Sequence, residues 1–164
     1  MKLYMKQKVF SWRDKFSVFD ENQTERFYAE GEIFTWGRKL HLFDSTGREA
    51  AFIKQKLLTF LPRYIIEIDG NSYTLVKEFT FFKQSFHVEN CDWTIEGDFW
   101  AHEYCIRDRE DVILSISKHW FTWGDSYELD IPDSKNVTLA LAVALAIDCM
   151  SADQQQTAAS SASN

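Results

Sequence analysis

Val137-Thr138-Leu139-Ala140-Leu141-Ala142-Val143-Ala144-Leu145-Ala146-Ile147, followed by Asp148-Cys149-Met150, is the stretch on which the fold turns. Large and small residues alternate along it, a pattern compatible with a strand. Ala and Leu dominate, however, and both are strong helix formers, while Ala is depleted in strands. Pro132-Asp133-Ser134 in front supplies the Pro and cap residues of a helix start. These features predict a helix over about 134–150. It has no polar face, so it must be buried all round. A membrane span is the rival home, but 14 residues at ~1.5 Å each reach roughly 21 Å, short of the roughly 30 Å hydrocarbon core.

The rest of the chain offers an enclosure. Bulky-[Ser/Thr]-aromatic triplets recur as Phe10-Ser11-Trp12, Phe34-Thr35-Trp36, Leu58-Thr59-Phe60, Phe79-Thr80-Phe81 and Phe121-Thr122-Trp123. Their first residues are spaced by 24, 24, 21 and 42, and 42 is twice 21. A degenerate copy, Trp100-Ala101-His102, fills the gap, which makes six units. Apolar alternation with period two resumes after the triplets, as at Phe16/Val18, Leu40/Leu42 and Tyr127/Leu129. Turn clusters such as Asp20-Glu21-Asn22, Asp44-Ser45-Thr46-Gly47 and Asp69-Gly70-Asn71-Ser72 separate the units. One strand into each triplet and one out gives about twelve strands. The expected fold is therefore mainly β, a closed antiparallel barrel of about twelve strands enclosing a C-terminal hydrophobic helix. A barrel that wide has an interior to fill.

Composition bounds the function classes. The 164 residues are 45% apolar and 26% charged, an ordinary globular balance. Eighteen Lys and Arg against 25 Asp and Glu give a net charge of −7, which argues against a nucleic-acid binder. Three cysteines imply no disulfide framework and fit a reducing, cytoplasmic setting. No signal-peptide core follows Met1. Ser151 to Asn164 holds no aromatic and no large aliphatic residue, so 1–150 is expected to be the barrel domain and 151–164 a disordered, low-complexity tail.

Four segments resemble those of a known family: Ser117-Lys118-His119-Trp120-Phe121-Thr122-Trp123-Gly124-Asp125-Ser126-Tyr127-Glu128-Leu129-Asp130-Ile131, Lys6-Gln7-Lys8-Val9-Phe10-Ser11-Trp12, Phe60-Leu61-Pro62-Arg63-Tyr64 and Glu96-Gly97-Asp98-Phe99-Trp100-Ala101. On these, the chain from Met1 to Met150 is similar to the LURP-one-related family of the tubby-like superfamily. The resemblance implies a twelve-stranded barrel around a central hydrophobic helix. In that superfamily, tubby domains hold phosphoinositide head groups through Lys and Arg, and scramblases depend on calcium. An acidic stretch precedes the scramblase helix, and by position this chain keeps Asp125 there, a weak calcium candidate, with Asp130 and Asp133 nearby but offset. The Pro- and Cys-rich leader of scramblases has no counterpart here, so scrambling is not expected.

Candidate binding residues come from the basic repeats. Lys6/Lys8 and Lys54/Lys56 are matched pairs, and residues two apart share one face of a strand. Arg13, Lys15, Arg63 and Lys118 occupy related repeat positions. Together these eight form an expected exterior stripe for phosphate or anionic lipid head groups. The bland alternative is a solvated strand face that discourages edge pairing. Residues 86–111 hold eight acids against two arginines, so charge is unevenly spread. The aromatic triplets are expected to pack at strand corners, with the intervening Ser or Thr bonded to backbone in the bend.

His41, His87, His102 and His119 lack metal spacing, and His102-x-x-Cys105 stands without a second pair, so neither a metal nor a cofactor is expected. Cys91 and Cys149 read as packing residues. Ser115-Ile-Ser-Lys118 lacks the helix start and partner motifs of a Ser-x-x-Lys enzyme. No phosphate-cradling or zinc-protease motif occurs. Asp148 is expected to reach solvent or to bond to nearby backbone groups. The expectation is thus a non-enzymatic binding module for anionic lipid head groups or another phosphate-bearing ligand, docking on an anionic membrane surface without a transmembrane segment. The alternative is a protein-interaction or regulatory adaptor using the exterior strand faces and the tail.

Overall fold

The structure, a computed structural model, describes residues 1–7, 15–79, 84–99, 101–119 and 126–161. The first six strands are β1 (Lys2–Gln7), β2 (Lys15–Asp20), β3 (Glu25–Gly31), β4 (Lys39–Asp44), β5 (Glu49–Lys56) and β6 (Arg63–Ile68). They are followed by β7 (Asn71–Phe79), β8 (Gln84–Glu89), β9 (Trp93–Asp98), β10 (Glu103–Asp108), β11 (Asp111–His119) and β12 (Ser126–Asp130). Every strand pairs antiparallel with its chain neighbours, and β1 pairs with β12, so the sheet closes and leaves no edge. Closure is sealed at the start of the chain. The Met1 ammonium donates to the Ile131 carbonyl at 2.8 Å, and the Ile131 N–H donates to the Met1 carbonyl at 2.9 Å.

Period-two alternation sets the two faces. Leu3 and Met5, Phe16 and Val18, Leu40 and Leu42, and Ile53 and Tyr64 all point inward and are buried. Helix α1 (Val137–Ser161) fills the lumen with its residues from Val137 to Met150. Ala140 to Ala146 have no exposed surface on any side of the helix, the arrangement that an apolar stretch without a polar face requires. The helix begins at Val137 rather than 134, because Ser134–Asn136 forms a 3₁₀ turn capped by Asp133, whose carboxylate accepts from the Lys135 N–H at 3.0 Å. It runs on past Ser151 to Ser161. Asp153, which composition assigns to the tail, pairs with Arg38 of the barrel at 2.7 Å.

The repeat is visible atom by atom. Asp20 accepts from the N–H groups of Asn22 and Thr24, and 24 residues on Asp44 accepts from those of Thr46 and Arg48. The register slips by one residue just before both turns, between Val18 and Phe19 and between Leu42 and Phe43. The Thr46 hydroxyl and the backbone donors hold the Asp44 carboxyl down at about 2. At Gly97 (φ +146°) β9 and β10 come so close that a Cβ would run into the Glu103 carbonyl and Tyr104.

Strand direction alternates, so the connections divide between two ends. Turns 20–25, 44–49, 68–71, 89–93 and 108–111 lie at one end with segment 130–135. In these segments stand thirteen acids and three cations (Arg48, Arg109 and Lys135). The triplet connections, among them 32–38 and 57–62, lie at the other end.

Candidate functional site

Register brings four cations together on the outer face of β4, β5 and β6. Lys39 lies directly opposite Lys54, and Lys56 directly opposite Arg63. Lys54 and Lys56 share a face by strand period, and the residue between Leu40's partner and Gln55 is Lys54, so Ile53 turns inward while the cations turn out. Two facing like-charge pairs are unfavourable in a sheet, each by a few tenths of a kcal/mol to about 1 kcal/mol. Neighbouring acids offset part of this. Lys54 pairs with Glu67 at 2.7 Å, Lys39 with Glu32 at 3.3 Å, and Arg63 lies 3.7 Å from Glu89. Lys56 is exposed and has no ion-pair partner among the described residues. Half-exposed pairs of this kind are weak and exchange readily for a better anion.

The two connections beside this patch are apolar at their tips. Phe34 is 99% exposed and Trp36 90%, and Leu58 and Phe60 are fully exposed. This corrects the expectation that the triplets pack at strand corners. In both described copies the chain carries the aromatic positions outward, beyond the sheet. The expected Ser/Thr bonds do form. Thr35 Oγ1 donates to the Gly37 carbonyl at 2.8 Å, and Thr59 Oγ1 to the Lys56 carbonyl at 3.2 Å. Gln55 ties the two connections together: its N–H donates to the Arg38 carbonyl at 2.8 Å, and its Oε1 accepts from the Arg38 N–H at 3.1 Å. A Cβ on Gly37 (φ +78°) would stand 2.9 Å from Leu57 Cδ2, so the glycine permits this close approach.

The basic residues named from the repeats fall into two sectors. Lys54, Lys56 and Arg63 meet on β5 and β6. Lys6, Lys15 and Lys118 belong to β1, β2 and β11, on the other side of β3 and β4. There Lys15 pairs with Glu30 at 2.9 Å, and Lys6 stands over the Phe19 ring, 5.2 Å from its centroid. Lys8, Arg13 and the calcium candidate Asp125 lie outside the described residues. Lys39 was not among the candidates, because its pairing with Lys54 is a matter of register rather than of matched sequence spacing.

Two polar groups beside the patch and the lumen complete the picture. His41 is bonded by both ring nitrogens to carboxylates, Nδ1 to Glu49 at 2.6 Å and Nε2 to Glu32 at 2.9 Å. Partial burial disfavours its charge, yet the two carboxylate bonds outweigh it and raise the pKa. Of the two expected alternatives for Asp148, solvent is excluded, since only 7% of it is exposed. It is buried against the barrel wall, 3.7 Å from His102 Nδ1, and His102 Nε2 lies 3.4 Å from the Tyr127 hydroxyl. Among the described residues no cluster of three or more His, Cys, Asp or Glu is placed to hold a metal ion, and no helix is long and apolar enough to cross a membrane.

A family model described as LURP-one-related matches residues 1–149. The chain is 41% identical over 149 residues to "Uncharacterized protein YxjI" of Bacillus subtilis (strain 168), a match covering 90% of this chain and 92% of that protein. Among solved structures, an X-ray structure of a protein from Arabidopsis thaliana is similar with a TM-score of 0.60 over 90% of this chain and 91% of that one. At 15% identity that likeness carries the fold alone.

Proposed function

This chain belongs to the LURP-one-related family, and from that premise we propose a non-enzymatic binding module that takes phosphate-bearing anions, lipid head groups first, on the outer face of β4–β6. The observation that carries the reading is the pair of facing like charges, Lys39 with Lys54 and Lys56 with Arg63. A sheet that only needed solubility would alternate signs across strands. The filled lumen supports an exterior site, since Ala140 to Ala146 leave no room inside.

Each Lys or Arg held close to an anionic membrane surface contributes roughly 1 kcal/mol. Four such residues bring about 4 kcal/mol, or on the order of a thousandfold in partitioning. The attraction is screened within a Debye length of about 10 Å at 0.1 M salt. The test is sedimentation with vesicles of phosphatidylcholine alone or with phosphatidylserine or a phosphoinositide added. Retention on the anionic vesicles at low salt, falling as salt rises, is expected. Charge reversal by Lys54→Glu with Lys56→Glu abolishes it while the thermal midpoint holds. Equal retention by wild type and variant, or none by either, overturns the reading.

A further inference from the structure

From the two exposed connections we infer that this end of the barrel enters the bilayer: the tips of 33–36 and 57–60 insert their apolar side chains among the lipids while the cations around them hold the head groups. The inference rests on the anionic-lipid reading and adds a mode of docking to it.

Two independent features point this way. The first is exposure without neighbours. Phe34, Trp36, Leu58 and Phe60 are four large apolar side chains that stand almost wholly in solvent on two adjoining connections, and exposed apolar surface gathered in one region marks an interaction site. The second is backbone cost. Phe34 and Leu58 both sit at positive φ (59° and 58°), a left-handed conformation that is rare for bulky residues. They occupy equivalent places in the 24-residue repeat, and neither gains burial from the strain. Backbone strain kept without a packing return is typical of functional sites.

Charge selects a bilayer over a protein as the occupant. Connections 31–39 and 56–63 contain four cations (Arg38, Lys39, Lys56 and Arg63) and one acid (Glu32), whereas thirteen acids stand against three cations at the far end of the barrel. The protein is negative overall, yet its field repels the acidic end from an anionic surface and turns the tips toward it. The exposed tips border the cations of β4–β6, which matches hydrocarbon lying beneath anionic head groups. A protein partner would need an apolar socket rimmed by acids. Trp and Phe suit the interfacial depth that an apolar face reaches, about 5–10 Å below the head groups.

The test uses the full chain and vesicles of phosphatidylcholine with phosphatidylserine. Phe34→Ser with Phe60→Ser is expected to lower partitioning at least about tenfold, given the apolar area withdrawn from lipid. These side chains are exposed, so the thermal midpoint stays put. In vesicles made with brominated lipid, tryptophan emission of the bound wild type is quenched, and Trp36→Phe removes part of that quenching per molecule bound. Partitioning unchanged by the serine variant, with Lys54→Glu/Lys56→Glu still abolishing it, overturns insertion and leaves the head-group reading standing. No retention of any variant on any vesicle overturns both. Self-association of the wild type that the serine variant cures, without vesicle binding, assigns the tips to a second copy of the chain and overturns insertion as well.

Discussion

Leu141→Asp tests the enclosed helix most directly. Leu141 has no exposed surface, so an ionised carboxylate there would be unpaired and dry. The group escapes by staying protonated. Holding an Asp neutral at pH 7 against an ordinary pKa of about 3.9 costs about 1.36 kcal/mol per unit, or about 4 kcal/mol. Loss of the leucine's burial adds about 1.5–3 kcal/mol. The sum, about 5.5–7 kcal/mol, rivals the roughly 5–15 kcal/mol by which a domain is stable. Ala142→Asp, Val143→Asp and Ala144→Asp point elsewhere around the helix and face the same dry wall, so all four variants should be severely destabilised. The pH dependence has a sign. A folded pKa raised above the unfolded value makes the protonation penalty grow with pH, so it shrinks toward zero as pH falls to about 4. Urea unfolding of the four variants at pH 7 and near pH 4.5, each against wild type at the same pH, measures both effects. Two tolerant neighbours among the four would mean a one-sided helix and would refute the enclosure.

The His41 triad should make stability depend on pH in the same sense, over a higher pH window. Its raised pKa contributes stability that is fully present below the unfolded value near 6.5 and is lost as pH rises through the folded one; His41→Gln should flatten urea midpoints between pH 6 and 8, and an unchanged slope would exclude the triad as its source. Truncation after Asp153 should leave the thermal midpoint within a degree or two, because 154–164 holds no large apolar residue. Asp153→Ala should lower the midpoint measurably by removing the partner of the half-buried Arg38, and equal midpoints for Asp153→Ala and wild type would show that the 2.7 Å pair adds nothing.

The barrel was legible because its repeat is written in residues with local physics. Asp20 and Asp44 fold the same turn 24 residues apart, and side chains two apart must share a face. The helix was legible from its lack of a polar side. Its extension past Ser151 was not, because the small polar residues there carry no burial signal and the pairing of Asp153 with Arg38 joins positions 115 apart. The cationic patch was half legible. Lys54, Lys56 and Arg63 stood out by spacing, but Lys39 joins them only through a register that the slip between Leu42 and Phe43 resets. The triplets misled because Phe, Trp and Thr are strand formers, and strong β propensity says nothing about whether a side chain meets a wall or solvent. The unequal charge of the two ends was available in principle, since in an up-and-down barrel every second connection belongs to the same end.

Closure has a consequence for how the molecule is made. Lys2 pairs with Asp130, and the lumen is filled by residues that follow Asp130 in the chain. The first strand to leave the ribosome therefore has to wait for the last before its second edge is paired, and the plug arrives later still. Nascent β1 to β11 form a curling sheet whose inner face has nothing to close upon, held only by neighbour-to-neighbour hairpins. Long-range pairings of this kind are slow, and the unpaired edges and bare apolar face are prone to aggregate in the interval. Stable folding of this barrel thus waits for β12 and α1, and a chain cut before Val137 leaves the wall without its core.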